Sequence, residues 1–172
     1  MADPKIRNSQ AIPDALKRIV GNMQTAKLRV GIFKNATTTD GKLIAEYATY
    51  NEFGTEHIPP RPFLRSTIKA HSSDWRNTFA AMLKGTAQDA PAVERALTLV
   101  GVQAVGHIQD TIDSNMPPPN AESTRRQKRK TLLDAKSRPM KDEAGKVMTH
   151  IPGTLVNTGM MRKAISFEVN PE

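Results

Sequence analysis

Three glutamates at close spacing are the first residues in this chain that could do chemistry. Glu46, Glu52 and Glu56 place carboxylates six and four positions apart. Paired carboxylates whose pKa values differ can serve as general acid and general base. Nothing beside these three supplies a nucleophile or raises a pKa, so the sequence favours surface charge over catalysis.

The four histidines form no metal-binding pattern. They follow neither H-E-x-x-H nor any other ligand spacing, and the chain has no cysteine. His71 and His107 are expected on or beside packed helix faces. The nucleophile elbow G-x-S-x-G and the phosphate-binding P-loop are missing from the sequence as well. We therefore predict a protein that is not an enzyme and has no catalytic residues, metal or cofactor. A hydrolase of cell wall or phosphoesters would require an acid/base constellation that the sequence lacks.

Positive charge is concentrated towards the C-terminus. The chain carries 25 Lys and Arg against 17 Asp and Glu, a net charge of +8. Residues 116–172 hold 11 of these cations and 6 of the acids. Such an excess favours nucleic acid or acidic proteins as partners. The densest cluster fits a solvated helix face as well as a contact with DNA or an acidic partner: Arg125, Arg126, Lys128, Arg129 and Lys130.

The apolar periodicity predicts an α+β fold, with a small antiparallel sheet packed against two long helices and an extended C-terminal arm. Strands are expected over residues 27–34 and 164–169, where apolar and polar residues alternate. A first helix is predicted over 14–23, and a second carries Leu43, Ile44, Tyr47 and Ala48 on one face, capped by Thr39 or Asp40. The long helices are predicted from Pro62 to Lys84, with a face of Leu64, Ile68, Trp75, Phe79, Met82 and Leu83, and from Asp89 to Asp113, with a stripe of Val93, Leu97, Val100, Ala104, Ile108 and Ile112. Gly101 and Gly106 in the latter are expected to allow a neighbouring backbone to approach closely.

A corner rich in glycine and proline separates the second helix from the third. Gly54 can adopt a positive φ at little cost, and Pro59, Pro60 and Pro62 fix φ near −65°. We expect this corner to set the angle between two elements. Glu52 and Arg61 beside it are expected to be solvated or locally paired.

The predicted domain organisation has three parts and no internal repeat. Residues 1–115 form the α+β core with its N-terminal segment, and 116–154 form a proline-rich spacer and a basic, polar arm. Residues 155–172 form a turn and a strand that returns to the core sheet. Within the arm, residues 134–150 are predicted to be a long polar loop or an exposed hairpin.

Two motifs resemble one known family, and the second of them has two parts. Residues 46–65, EYATYNEFGTEHIPPRPFLR, look like the signature of the tail-completion and neck proteins of tailed phages. This group includes the virion-morphogenesis and minor tail-component proteins of Mu-like and lambda-like phages. Pro118–Thr124 and Leu155–Ile165 resemble the same family, and the motifs follow one another in the order found in that family. The connection from Lys130 to Leu155 is longer than the family pattern, and we interpret it as a partner-specific extension.

The resemblance implies a structural protein that assembles as a six- or twelvefold ring at the head–tail junction. A tail-completion, tail-terminator or gateway role would follow, with contacts to portal or connector, tail tube and tail-terminator proteins. The residues implied at subunit or partner contacts are Tyr50, Glu52, Phe53, Gly54, Arg61, Pro62, Phe63, Asn157, Thr158, Gly159 and Arg162. Phe53, Phe63 and Leu64 are also expected to fill the core of the subunit. Thr158 is expected to cap the turn that begins at Gly159, and Arg162 to pair with an acid such as Glu52.

The same resemblance implies a virion protein of the neck, made in the host bacterial cytoplasm. No apolar run approaches the ~20 residues that span a bilayer, so no membrane partner is expected. The alternative function is a basic nucleic-acid-binding module that contacts DNA through the C-terminal arm. It predicts salt-sensitive binding to DNA that weakens when the basic cluster is neutralised.

Overall fold

The chain forms helices and two small sheets, and a two-stranded antiparallel sheet packs against the helices, which confirms the predicted α+β class. The computed structural model describes residues 21, 26–84, 89–134, 136–155 and 159–169. The first predicted helix lies outside these residues, apart from Gly21. The elements in chain order are β1 (Leu28–Ile32), α1 (Ile44–Phe53), α2 (Phe63–Leu83), α3 (Ala90–Asp113), α4 (Glu122–Lys128), β2 (Lys130–Thr131), β3 (Thr149–His150), α5 (Met160–Lys163) and β4 (Ile165–Val169).

The chain divides into two units, and the first holds one sheet and its apolar cluster. Its described residues are 26–31, 70–84, 89–106 and 166–169. Strand β1 pairs with β4, and a core of Leu83, Ala92, Val93 and Ala96 is completed by Ala26, Phe79 and Leu97. Burial of these apolar side chains stabilises this unit.

A glycine in α3 explains how this unit packs so closely. A Cβ at Gly101 would lie 2.4 Å from the ring of Phe167 in β4, so only glycine accommodates the ring here. The predicted close approach at Gly101 is confirmed, although a side chain and not a backbone makes it. At Gly106 the prediction is wrong, because a Cβ there would meet nothing within 4 Å.

The predicted stripe of α3 is buried, whereas the predicted face of α2 is partly wrong. Five of the six stripe residues of α3 are buried and Leu97 is half-buried. On α2 the predicted face residues Ile68 and Met82 are exposed, and the buried positions at its start are Phe63 and Thr67. Thr67 can occupy a core position because its hydroxyl lies 2.6 Å from the Phe63 carbonyl oxygen and 2.7 Å from the Thr111 hydroxyl.

The second unit contains the corner, α1 and the arm. Its described residues are 32–69, 107–134, 136–155 and 159–165. Helix α1 begins after Leu43 without a side-chain cap, so the predicted cap by Thr39 or Asp40 is wrong. Those two residues instead occupy a turn, in which the Thr38 amide donates to the Lys42 carbonyl oxygen at 2.8 Å. Ile44 and Ala48 are buried as predicted, but Tyr47 and Leu43 are exposed.

The arm contains an octapeptide repeat that the sequence reading missed. Leu132 to Pro139 and Met140 to Val147 each form a tight hairpin, in which Asp134 and Asp142 hold the turn. Each Asp Oδ1 accepts two backbone amides, from Lys136 and Arg138 in one repeat and from Ala144 and Lys146 in the other. The sixth position of each repeat, Ser137 and Gly145, has a positive φ. The Ser137 amide donates to the Asp134 carbonyl oxygen and the Gly145 amide to the Asp142 carbonyl oxygen, each at 2.9 Å, so each turn is closed by the residue with positive φ.

Three backbone hydrogen bonds join the two hairpins to each other and to Met148. The Leu132 amide donates to the Met148 carbonyl, the Met140 amide to the Leu132 carbonyl, and the Met148 amide to the Met140 carbonyl, at 3.0, 2.9 and 2.8 Å. Strand β2 pairs with β3 beside them, with Lys130 opposite His150. Of the two forms predicted for residues 134–150, the exposed hairpin is therefore the one found.

Candidate functional site

A buried glutamate holds the beginning of helix α2. Glu52 is 3% exposed, and its carboxylate accepts the amides of Leu64 and Arg65 at 2.9 and 3.1 Å. The first amides of a helix have no partner within the helix, and the helix dipole favours negative charge there. Glu52 therefore caps α2 from a position 12 residues earlier in the chain.

Arg65 closes this arrangement from the other side. Its Nε donates to Glu52 Oε1 at 2.9 Å, and its Nη2 donates to the Glu52 carbonyl oxygen at 2.8 Å. The guanidinium also lies 4.8 Å from the centre of the Phe53 ring, in a cation–π contact. Glu52 and Arg65 together, here called the clasp, fix the end of α1 to the beginning of α2.

The turn between the two helices has the backbone that the clasp requires. Gly54 has φ +79°, and a Cβ there would lie 2.9 Å from both the Ile58 carbonyl oxygen and the Pro60 nitrogen. The Thr55 amide donates to the Ile58 carbonyl oxygen at 2.8 Å, and the Arg61 amide donates to the Asn51 carbonyl oxygen at 2.6 Å. The predicted positive φ at Gly54 is confirmed, and the prolines that follow bring the chain back beside α1.

Two predictions about charged residues at this corner are partly wrong. Glu52 is paired, with Arg65, but it is not surface charge, because the helix terminus and Arg65 allow its carboxylate to be buried. Arg162 was expected to pair with an acid such as Glu52, and it does pair with an acid, but that acid is Asp113, whose Oδ2 lies 2.7 Å from Arg162 Nε. The Arg162 carbonyl also accepts Gln109 Nε2 at 3.2 Å. The Glu52 carboxylate already accepts three hydrogen bonds, from the Leu64 and Arg65 amides and from Arg65 Nε. Asp113, at the end of α3, is the acid within reach of Arg162.

Arg61 connects the two segments that carry the family resemblance. It is 4% exposed, although it was expected to be solvated or locally paired. Its Nε donates to the Pro118 carbonyl oxygen at 2.9 Å and its Nη2 to the Pro119 carbonyl oxygen at 3.3 Å. Burial lowers the pKa of the Arg61 guanidinium. The corner and the Pro-Pro-Asn segment are therefore joined by a buried cation.

Asparagines and a threonine extend this connection to residues 153–155. Asn115 Oδ1 accepts the Thr154 amide at 2.9 Å and lies 2.7 Å from the Thr154 hydroxyl, which donates to it. Asn120 Nδ2 donates to the Thr154 carbonyl oxygen at 3.0 Å. Lys128 Nζ donates to the same oxygen at 2.9 Å. The sequence reading missed this network, and its only signal was the Pro-Pro-Asn segment itself.

A cavity of about 380 Å³ opens beside Arg61. Its walls come from α1, the proline corner with Arg61, the beginning and body of α4, and the segment at Thr154. The lining residues are Tyr47, Tyr50, Asn51, His57, Ile58, Pro59, Arg61, Asn120, Ala121, Thr124, Gln127, Lys128, Thr154 and Leu155. In this cavity two of the predicted contact residues, Tyr50 and Arg61, meet Lys128 of the basic cluster.

The five residues of the basic cluster do not form a single surface. Arg125 and Arg126 are exposed on α4 and pair with Glu122 at 3.5 and 3.4 Å. Arg129 and Lys130 are exposed, whereas Lys128 is half-buried at the cavity. Burial, and next the charge of Arg61, lower the pKa of Lys128. Four of the five cations therefore face solvent and one faces the cavity.

The predicted aromatic contacts divide between core and surface. Phe63 is fully buried, whereas Phe53 is 64% exposed, so the expectation that both fill the core holds for Phe63 and is wrong for Phe53. Tyr50 is exposed and donates to Glu46 Oε1, and this hydrogen bond, with the Glu46 charge, raises the pKa of Tyr50. Pro62 is half-buried and precedes α2, where its carbonyl oxygen accepts the Ser66 amide at 2.9 Å.

The last predicted contact residues lie around α5. Gly159 has φ +76° and precedes α5, whose Met161 is buried. Asn157 and Thr158 lie outside the described residues, and with them the predicted cap by Thr158. A cavity of about 260 Å³ lies between the turn before α1 and this segment, lined by residues that include Asp40, Tyr47 and Met160.

Among the described residues, no group of three or more histidines and acids is placed to hold a metal ion. Within the same part of the chain, every helix is too short or too polar to cross a membrane. Comparison of the chain with protein-family models, with curated proteins and with solved structures gives no match.

Proposed function

We propose that this protein is a structural component of the tailed-phage neck that assembles as a closed ring at the head–tail junction. The sequence resemblance suggests this function, and the contacts of Arg61 support it. Arg61 in the first motif and Pro118 in the second are 57 positions apart, and a part-buried hydrogen bond joins them. A shared motif whose parts form one structural unit is better explained by a common architecture than by chance similarity.

The observation that carries the proposal is a row of exposed apolar residues that begins directly before α1 and continues along it. Leu43, Tyr47 and Tyr50 follow helical spacing along one face, and Tyr47 is 62% exposed. Phe53 extends the row at the end of the helix. Exposed aromatic residues beside a rigid corner are typical of a protein–protein contact, because aromatics are enriched in interface cores. We call these four residues the aromatic row.

The arm supplies a second and different apolar surface. Four large apolar residues of the octapeptide repeats, and Met148 directly after them, are exposed: Leu132, Leu133, Met140, Val147 and Met148. A ring requires heterologous contacts, in which one surface of a subunit meets a different surface of its neighbour. We propose that the aromatic row of one subunit meets the arm of the next, which closes a six- or twelvefold ring and leaves the remaining surface to portal, connector or tail proteins.

This role places the protein in the virion, made in the host bacterial cytoplasm, and without a catalytic function. The test is the absolute mass of the purified chain by light scattering, alone and mixed with candidate neck and tail proteins, at low and high salt. A closed six- or twelvefold species, alone or on mixing, supports the ring. A stable monomer that ignores these partners and binds DNA with strong salt dependence would replace the proposal with the nucleic-acid-binding module.

A further inference from the structure

The cavity beside Arg61 carries positive charge and no acidic residue. Arg61 and Lys128 line it, and its described lining contains no Asp or Glu. Arg61 forms no salt bridge within the described part of the chain. Its two hydrogen bonds go to proline carbonyls, which carry no net charge. A cation that is 4% exposed normally has an opposite charge nearby, because desolvation of an uncompensated charge is costly.

A second cation lies close enough for Arg61 to affect it. Lys128 is half-buried, its Nζ donates to the carbonyl oxygens of Thr154 and Gly153 at 2.9 and 3.4 Å, and the charge of Arg61 acts on it. Two positive charges that share one cavity repel each other. An anion bound between them would replace this repulsion with two charge-assisted hydrogen bonds.

We propose that this cavity binds the carboxylate of an acidic side chain from a segment of a partner protein. Arg61 and Lys128 would hold the carboxylate, and Ile58, Pro59 and Leu155 would contact the apolar part of the segment. Binding of a carboxylate in this cavity goes beyond the neck function and does not depend on it.

The shape of the site favours a protein segment over DNA. A concavity of about 380 Å³ has room for a few side chains, and part of its wall is apolar. The phosphates of duplex DNA lie along the outside of a rod, so a basic ridge meets them more readily than a recess does. The exposed cations Arg125, Arg126, Arg129 and Lys130 lie on the surface, where DNA would be contacted if it were the partner.

The experiment uses the full chain and three probes. We would titrate it with the blocked tripeptide acetyl-Gly-Glu-Gly-amide, with the neutral match acetyl-Gly-Gln-Gly-amide, and with a short DNA duplex. The readout is the NMR signal of the Arg61 Nε–H group, together with the backbone amides of the corner. The variant Lys128→Gln tests the second cation, and Arg126→Gln, which removes an exposed cation of the same helix, is its matched control.

We expect a saturable shift of the Arg61 signal with the glutamate peptide and none with the glutamine peptide. Lys128→Gln should weaken binding by about tenfold, the loss of one charge-assisted hydrogen bond, and Arg126→Gln should leave it unchanged. No saturable shift with the glutamate peptide, or an equal shift with the glutamine peptide, would overturn the site. A larger shift of the Arg61 signal with DNA than with the peptide would overturn the choice of a protein segment as occupant.

Discussion

The carboxylate of Glu52 accepts the backbone amide of Leu64 at 2.9 Å and thereby caps a helix of 21 residues from outside it. A helix more commonly takes its cap from the residue directly before it. Here the residues directly before the helix are Arg61 and Pro62, whose other contacts are the Pro-Pro-Asn segment and the first turn of the helix. The cap therefore comes from the preceding helix, which makes the angle between α1 and α2 part of the capping geometry.

Replacing Glu52 with Gln should destabilise the fold. The substitution keeps the shape of the side chain but removes the charge that holds two amides and Arg65, so we expect a loss of about 1–3 kcal/mol in the free energy of unfolding. Urea denaturation measures it. Glu56→Gln, at an exposed acid of the same corner, is the control and should change stability by less than about 0.5 kcal/mol. Equal stability of the two variants would mean that the cap contributes nothing.

Substitution of two glycines that both have a positive φ distinguishes the energetic cost of backbone strain from that of a steric clash. Gly54→Ala should cost about 1–3 kcal/mol more than Gly145→Ala, because both positions have a positive φ but only at Gly54 would the Cβ contact backbone atoms at 2.9 Å. Thermal melting of the two variants gives the comparison. Gly54→Val should be worse still. Equal melting temperatures of the Gly54→Ala and Gly145→Ala proteins would contradict the close packing described for the corner.

Gly101→Ala should destabilise the first unit, although alanine is normally favourable in a helix. The added methyl would lie 2.4 Å from the Phe167 ring, and overpacking of this kind costs about 1–3 kcal/mol. Gly106→Ala in the same helix meets nothing within 4 Å and should stabilise by about 0.5–1 kcal/mol. Denaturant unfolding of both variants is the measurement, and the same sign of effect in both would refute the contact with Phe167.

The aromatic row should matter for assembly and not for folding. The double variant Tyr47→Ser with Phe53→Ser should lower the mass of the assembled species to that of the monomer by light scattering, and its melting temperature should stay close to the original because both side chains are exposed. Val102→Ser removes an equally exposed apolar side chain elsewhere and should leave assembly unchanged. Assembly that survives the double variant would exclude the row as the subunit contact.

Acid should open the first hairpin of the arm. Hydrogen bonds from the Arg138 amide and side chain, and from the Lys136 amide, hold the pKa of Asp134 below its usual range. A carboxyl whose pKa is lowered by folding stabilises the fold fully above its ordinary pKa of about 3.9, and this stabilisation is lost as the pH falls through the lowered value.

The amide signals of Lys136 and Arg138 followed by NMR against pH should therefore change with a midpoint below about 3.9. In Asp134→Asn this change should disappear. A midpoint at or above the ordinary carboxyl pKa would show that the charged form is not favoured by the turn.

The apolar periodicity of the sequence predicted the helices and strands of this fold. The contacts of the buried charged residues were predicted less well. The period of Val93, Val100, Ala104, Ile108 and Ile112 identifies α3, because aliphatic side chains at helical spacing have one way to be buried. Both strands of the first sheet follow from alternation in the same way, and the positive φ of Gly54 follows from its place among prolines.

The buried polar residues could not be predicted because their partners are distant in the chain. Glu52 and Arg61 resemble surface residues until α2 and the Pro-Pro-Asn segment are placed beside them. Thr67 fails the apolar pattern for the same reason, since Thr111 satisfies its hydroxyl. The repeat in the arm was missed because its two copies share turn geometry but only one identical residue, the aspartate at the third position.

The cyclic hydrogen bonds among Leu132, Met140 and Met148 have a consequence for how this sequence can change. Each of the three residues is eight positions from the next, and each donates to one of the others and accepts from the remaining one. Inserting or deleting a single residue in the paired part of either hairpin shifts these partners out of register. The arm can therefore change length without loss of this closure only at the tip of a hairpin, beyond its paired residues.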